Sequence, residues 1–176
     1  MQDEPEPESQ KEEHQSYSVY EQAQRYRAAK AVLQDIYALD AEHAGAVKAL
    51  EQLWEEGYTV AAHQLGKFYR DDLSTLRDHE KAEQWFRCSA EAGNDFSEYA
   101  LGKLLLTQKR WDEAMEWLGK AADHGSQFAR YRLGKIYLVG ESVPKDTEKA
   151  LAYLTASADQ GNQFAQYALG KLYLFG

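Results

Sequence analysis

The tripeptide Leu-Gly-Lys occurs four times in this chain, at nearly even intervals. The copies begin at Leu65, Leu101, Leu133 and Leu169, which gives spacings of 36, 32 and 36 residues. A second glycine precedes the glycine of each copy by nine residues. Periods of roughly 30 to 40 residues are typical of stacked-repeat proteins, in which each unit packs against its neighbours. The repeat therefore predicts an elongated array rather than one closed core.

Each complete unit contains two helical patterns. The second reads EKAEQWFRCSAEAG, DEAMEWLGKAADHG and EKALAYLTASADQG, with apolar or small residues at i, i+3, i+4, i+7 and i+8. This spacing forms one apolar stripe on an amphipathic helix. A glycine then predicts a left-handed helix end, and the residue after it predicts the N-cap of the next helix. These pairs are Gly93–Asn94, Gly125–Ser126 and Gly161–Asn162. Asp78 and Asp146 are the N-cap candidates of the second helices.

Two further helical patterns precede the first Leu-Gly-Lys copy, one of them over roughly 20–38, so the count reaches about nine helices. Strand signals are absent, because apolar and polar residues do not alternate. The predicted fold class is all-α, an α-solenoid of antiparallel helix pairs. We expect a helical repeat domain over 17–176, in which the last repeat is incomplete because its second helix is missing. The glycines inside the first helices predict close contact with the partner helix, at Ala82, Ala114 and Ala150.

The acidic residues are concentrated at the N-terminus. Residues 1–16 carry six acids and one base, a net charge of −5 out of −9 for the chain. Such a segment buries too little apolar surface to fold, so we expect a disordered acidic tail that serves for solubility or for interaction. The remaining 160 residues are mildly acidic, with a net charge of −4. Nucleic acid is therefore disfavoured as a partner, because phosphate-binding domains are usually basic.

Composition also predicts the compartment. The sequence contains no run of about 18 apolar residues that would cross a membrane, and its first 20 residues lack the apolar stretch of a secretory signal. The single cysteine, Cys88, cannot form a disulfide framework. We therefore expect a cytoplasmic protein with no membrane partner.

No residue pattern indicates a catalytic or metal site. The five histidines lack metal-ligand spacing, and His79 begins a His-Glu sequence without the second histidine of a zinc-protease helix. The Gly-Lys pairs lack the spacing and the Ser or Thr of a phosphate-binding loop. Cys88 has no histidine nearby in sequence to activate it. The sequence predicts no enzymatic activity, no cofactor and no metal.

The repeats resemble a known family. The pattern A-x-x-L-G-x-x-Y, followed by K-A-x-x-W/Y-L/F and A-x-x-G, is similar to the Sel1-like repeat (SLR), a relative of the tetratricopeptide repeat. The segment VGESVPKDTEKAL, at 139–151, resembles that family's loop and helix start. The resemblance covers about 44–176 and implies a right-handed superhelix that serves as a non-catalytic scaffold for protein binding. The middle unit departs from it through a turn four residues shorter, as in tetratricopeptide repeats.

A second resemblance concerns the residues that fill the repeat positions. The segment YALGKLYLFG is similar in sequence to repeat arrays attached to mobilisation relaxases of gut bacteria. The nuclease domain that a relaxase needs is absent from this sequence. This resemblance implies, as the alternative function, an accessory repeat region of a bacterial mobilisation protein that assists DNA processing.

A helical wheel places several columns of the first helices on one face, away from the core stripe. In tetratricopeptide-type solenoids the first helices line the concave surface, so the resemblance implies that these columns face the groove. The candidate binding residues are Phe96, Phe128 and Phe164, Tyr99, Tyr131 and Tyr167 with His63 in the first unit, and Lys67, Lys103, Lys135 and Lys171.

Two interpretations of these columns stay open, and they are compatible. The rings could serve to stack between repeats, with lysine stems lying over them. The columns could also form a peptide groove, in which aromatic walls supply contact and lysines hold the carboxylates of an acidic or C-terminal segment. The last helix carries an apolar outer face at Leu169, Leu172, Tyr173 and Phe175. That face predicts a longer array, self-capping, or self-association.

Overall fold

The computed structural model describes residues 18–71, 78–140 and 143–175, without the side chain of Phe175. Within these ranges the chain forms nine α-helices and no β-strand. They are α1 (Val19–Gln34), α2 (Asp40–Glu55), α3 (Val60–Arg70), α4 (His79–Glu91), α5 (Asp95–Thr107), α6 (Trp111–Asp123), α7 (Gln127–Val139), α8 (Thr147–Asp159) and α9 (Gln163–Phe175). The predicted all-α solenoid is confirmed. The predicted acidic tail, residues 1–16, lies outside the described residues.

The predicted caps start and end the helices. The glycine that follows α2, α4, α6 and α8 has φ between +86° and +95°, which residues with a Cβ avoid. Asn94, Ser126 and Asn162 then accept a hydrogen bond through their side chains from the backbone N–H three residues later. Asp78 and Asp146 cap α4 and α8 in the same way. Glycine and cap together turn the chain within two residues, which keeps the consecutive helices in contact.

Helix α1 ends earlier than predicted, at Gln34 instead of near Ala38. Asp35 adopts an extended backbone conformation, with φ −82° and ψ 109°. Its carboxylate accepts a hydrogen bond from the backbone N–H of Tyr37 at 2.9 Å. A local turn of this kind competes with helix continuation, and periodicity alone does not reveal it.

The helices pack in the order of the chain. α1 pairs with α2, α3 with α4, α5 with α6 and α7 with α8, and each pair packs against the next. The core therefore runs along the array, and its fully buried side chains include Leu50, Leu65, Phe86, Leu118 and Leu154. Trp85, Trp117 and Tyr153 occupy the same position of the second helices. Trp117 is buried, Trp85 is half-buried with its ring edge to Trp54, and Tyr153 stacks on Tyr137.

Three glycines in the first helices mark the closest approach of paired helices. An added Cβ would meet Phe86 at Gly66 (2.6 Å), Leu118 at Gly102 (2.8 Å) and Leu154 at Gly134 (2.7 Å). The prediction of close contact with the partner helix is confirmed, but the nearest atoms are not those of the predicted alanines. The nearest atoms belong to the residue four positions after each alanine, because helical side chains lean toward the N-terminus and cover the preceding turn. Near Gly134, the carbonyl oxygen of the predicted partner Ala150 also lies close, at 3.2 Å.

The short turn between α5 and α6 has its own stabilising contacts. Lys109 takes a left-handed conformation with φ 62°, the position that glycine fills elsewhere. Arg110 then bridges Glu83 of α4 and Glu113 of α6, at 2.7 Å each. Arg87 joins the same two carboxylates, at 2.9 Å and 3.2 Å. These four charges connect α6 to the preceding repeat, beside a loop that is shorter than those between α3 and α4 and between α7 and α8.

Candidate functional site

The predicted aromatic columns meet between consecutive first helices, α3, α5, α7 and α9. Three ring contacts follow one another along the array. They join His63 to Phe96 (6.3 Å between ring centroids), Tyr99 to Phe128 (6.0 Å) and Tyr131 to Phe164 (5.9 Å). In each contact the residue three before the Leu-Gly-Lys glycine meets the residue six before the next such glycine. We call these three ring pairs, together with Tyr167, the aromatic ladder.

The ladder is open to solvent on one side. Phe96 is 67% exposed, Phe128 47%, Phe164 66% and Tyr167 70%. The rings therefore pack between repeats, as the first interpretation of the columns expects, but much of their apolar surface stays uncovered. A row of exposed apolar rings on one face is typical of an interaction surface.

The lysine column borders the ladder. The Nζ atom of Lys103 lies 5.5 Å from the ring centroid of Tyr99, and that of Lys171 lies 5.8 Å from Tyr167. Lys135 is exposed on α7 between them. The arrangement puts lysine stems along the rings and leaves the ammonium groups at the solvent side. Burial, together with the charges of Arg132 and Arg70, lowers the pKa of Lys103.

The structure brings five of the predicted site residues into one cavity between α7 and α9. The cavity has a volume of about 400 Å³, and its walls include Tyr131, Lys135, Phe164, Tyr167 and Lys171. Aromatic walls with two ammonium groups can bury an apolar side chain and pair with a nearby carboxylate. Phe96, Tyr99, Lys103 and Phe128 continue the same face toward the N-terminus.

His63 differs from the tyrosines whose column it shares. Its Nδ1 lies 2.7 Å from Ser97 Oγ, and Ser97 donates onward to Ser89 Oγ at 2.8 Å. Its ring also packs against the fully buried ring of Phe86, with centroids 5.7 Å apart. Burial, with smaller contributions from the charges of nearby lysines and Arg70, lowers the pKa of His63 to about 4. His63 therefore acts as a neutral packing residue at the start of the ladder.

Lys67, the first lysine of the column, has a different environment from the other three. It is half-buried and lines a separate cavity of about 300 Å³, beside the connection between α1 and α2. Phe68, Leu33 and Ile36 are among the other lining residues. The structure thus separates Lys67 from the cavity between α7 and α9.

Two cations of this face, Arg70 and Arg132, were not predicted. Both charges act on Lys103, Arg70 from α3 and Arg132 from α7. The repeat alignment carries a signal for both, since each replaces an uncharged residue of its column. Leu106, Leu138 and Leu174 are the equivalents of Arg70, and Gln64, Ala100 and Ala168 are the equivalents of Arg132. A consensus built from the shared residues of the repeats omits such single departures.

The remaining chemistry of the described residues is structural. Cys88 is half-buried, and no group of three His, Cys, Asp or Glu side chains in the described ranges could hold a metal ion. The carboxylate of Glu98, almost fully buried, lies 2.8 Å from His124 Nδ1, which joins α5 to the end of α6. None of the described helices is long and apolar enough to span a bilayer.

Comparison with known proteins identifies the repeat. A family model of the Sel1 repeat matches residues 59–94, 112–126, 127–162 and 163–176, more than half of the chain. The crystal structure of a protective antigen of uropathogenic Escherichia coli with an SLR fold is 25% identical, with a TM-score of 0.74; the match covers 88% of this chain and 34% of that one. A Sel1 repeat protein of Oxalobacter formigenes is 28% identical, with a TM-score of 0.72, covering 86% and 63%. The chain spans less than two thirds of either protein. No curated protein matches the sequence significantly.

Proposed function

Because this chain belongs to the Sel1 repeat family, whose folds generally serve as protein-interaction scaffolds, we propose that it binds a protein partner along the aromatic ladder. The observation that carries the proposal is the row of ring contacts between α3, α5, α7 and α9, which keeps several aromatic faces exposed side by side. Sel1 repeat proteins are typically non-catalytic scaffolds, and we propose the same role here.

The chemistry of the surface favours an extended segment of a partner with apolar and acidic residues. The rings offer contact area at low entropic cost, since each has only two side-chain torsions and all except Tyr167 already pack against a ring of a neighbouring repeat. Lys103, Lys135 and Lys171 supply positive charge along the same line. An acidic or C-terminal segment would lay apolar side chains on the rings and direct carboxylates to the lysines.

The test uses the cavity between α7 and α9. The variants are Tyr167→Ala and the pair Lys135→Glu with Lys171→Glu, and the measurement is affinity capture of partners, quantified by mass spectrometry. We expect each variant to lose the proteins that the wild type retains, because one removes the exposed ring and the other reverses the charge. Circular dichroism should show unchanged helicity, since these side chains are largely exposed.

A matched control separates site charge from total charge. Lys48→Glu with Lys120→Glu changes the net charge equally, but on the second helices α2 and α6. This control should retain the captured proteins. Capture that survives both cavity variants, or that fails equally in the control, would place the binding surface elsewhere.

The lysine column also supports a second proposal, an accessory role in a mobilisation relaxase that handles DNA. Regularly spaced lysines beside exposed rings suit single-stranded DNA, because lysines attract the phosphates and bases stack on aromatic side chains. The acidic net charge of −9 acts against it. Fluorescence anisotropy with a single-stranded oligonucleotide at low and moderate salt decides between the two. Salt-dependent binding lost in Lys135→Glu with Lys171→Glu would favour the DNA role, and no binding at low salt would exclude it.

A further inference from the structure

Arg132 is the residue of the ladder face that departs most from its repeat column. It stands two positions before a Leu-Gly-Lys glycine, where the other repeats carry Gln64, Ala100 and Ala168. Two of these equivalents are alanines, so the helix does not need a long side chain here for packing. A cation introduced into a single repeat requires an explanation specific to that repeat.

The ring contact between Tyr99 and Phe128 determines what Arg132 faces. Lys103 follows Tyr99 by one turn of α5, and Arg132 follows Phe128 by one turn of α7. Since these first helices run side by side in the same direction, both cations lie beyond the same ring pair. The charge of Arg70, at the end of α3, also acts on Lys103.

Two of these three cations lack a compensating acid among the described residues. The Nε of Arg132 is buried and has no hydrogen-bond partner. Within the described ranges, neither Arg132 nor Lys103 has an ion pair, whereas Arg70 pairs with Asp71 at 2.9 Å. The lowered pKa of Lys103 has burial and the two arginines as its causes, with no acidic group opposing them. A buried N–H without a partner is rare in folded proteins and calls for an acceptor.

We propose that Lys103 and Arg132 form an oxyanion site between α5 and α7, which binds a carboxylate of the partner peptide beside the Tyr99–Phe128 ring pair. The guanidinium of Arg132 presents a planar fork that suits bidentate contact with a carboxylate. Lys103 adds a second donor from the neighbouring repeat. This inference rests on the proposed function, since it names the group that the binding face recognises.

A carboxylate fits this site better than a phosphate. Arg70 is already paired with Asp71, which leaves Lys103 and Arg132 as the uncompensated charges. The chain as a whole carries −9, which repels a polyanion but acts little on a single carboxylate in an apolar peptide. The exposed faces of the adjoining rings suit apolar neighbours of that carboxylate.

The experiment titrates the full chain with small probes at constant ionic strength and records ¹H–¹⁵N NMR spectra. The probe is acetyl-Leu-Glu-Leu-amide, and its neutral analogue contains Gln in place of Glu. We expect a saturable shift of the Arg132 Nε–H resonance and of the α5 backbone amides with the Glu probe, and at least tenfold weaker binding of the Gln probe. Acetyl-Leu-Ala-Leu with a free carboxylate tests whether the same group is recognised at a C-terminus.

Variants assign the effect to the site. Arg132→Ala introduces the residue that two other repeats carry, so the fold should persist while the probe binds at least tenfold more weakly. Arg130→Ala removes the same charge from α7 but leaves Arg132 in place, and should bind as the wild type does. No saturable shift, equal losses in both variants, or tighter binding of inorganic phosphate than of the Glu probe would overturn the proposal. These results are independent of the Tyr167 and Lys135 variants, so either proposal can fail alone.

Discussion

At the scale of the residue, His63 shows how one position of a repeating column acquires a different chemistry. Tyr99 and Tyr131 each pack against a phenylalanine of the next repeat, as His63 does, but His63 also bonds to Ser97 and packs on Phe86. Burial holds its imidazole neutral, with the pKa lowered to about 4. The repeat alignment identified the position, but its hydrogen-bond partner comes from α5, the first helix of the next repeat, and the alignment does not show this contact.

The depressed pKa of His63 predicts a loss of stability in acid. An unfolded histidine titrates near 6.5, so between pH 6.5 and about 4 the unfolded chain takes up a proton that the folded chain does not. The free energy of unfolding should therefore fall as the pH drops through this window, by at most about 3 kcal/mol. Urea denaturation at pH 7, 5.5 and 4.5 measures the change.

The variant His63→Gln isolates this contribution, because its amide can still bond to Ser97 but does not titrate. The stability difference between wild type and variant should shrink steadily as the pH falls. Curves that stay parallel from pH 7 to 4.5 would show that His63 is protonated in the folded state and that the pKa assignment is wrong.

At the scale of the element, helix boundaries and pairing follow from short-range signals that the sequence displays. Gly93, Asn94 and their equivalents were predictable because a left-handed glycine and a capping side chain act within one turn. The early end of α1 was not predictable, because the Asp35 carboxylate can stabilise a local turn in place of a further helical turn. That the first-helix glycines lie close to the partner helix was predicted. Which residue makes the nearest contact was not, because it depends on the direction in which side chains extend across the interface.

Two matched glycine substitutions test this interface. Gly134→Ala should destabilise the protein by about 1 to 3 kcal/mol, because the new Cβ would stand 2.7 Å from Leu154 Cγ and 3.2 Å from a backbone oxygen. Gly170→Ala occupies the equivalent position in α9, where nothing lies within 4 Å of the new Cβ. It should instead stabilise its helix by up to about 1 kcal/mol, the difference in helix propensity.

The urea midpoint of each variant shows directly whether the free energy of unfolding has risen or fallen. The opposite signs matter more than the magnitudes, since both substitutions change the same residue at the same repeat position. Stabilisation by Gly134→Ala would mean that α7 and α8 are farther apart than the structure shows.

At the scale of the whole molecule, the array behaves as a row of helix pairs whose stability depends on neighbours. Helices in the middle, such as α5, pack on both sides, whereas α9 packs mainly against α8. Tyr173 and Leu174 of α9 are 78% and 76% exposed. The same openness that creates the cavity between α7 and α9 leaves the last helix with little burial.

This gradient predicts the pattern of amide exchange. Hydrogen–deuterium exchange with mass spectrometry should show α9 exchanging at least tenfold faster than α5, because local opening costs less where fewer apolar groups are buried. Partner binding along the aromatic ladder should slow exchange in α7 and α9 first. Equal protection of α5 and α9 in the free protein would indicate a contact on α9 that the isolated chain does not display.

The sequence by itself determined the helices, their order, the left-handed glycines between them and the columns that share a face. These features depend on interactions within a few residues and on a period repeated four times, both of which can be read along the chain. Only the tertiary structure decided that Phe86, Leu118 and Leu154 lie against the glycines, that His63 is neutral, and that the charge of Arg132 acts on Lys103 while neither has an ion pair among the described residues. Those outcomes depend on which side chains from separate helices come within a few ångströms of each other, and a repeat alignment contains no such distances.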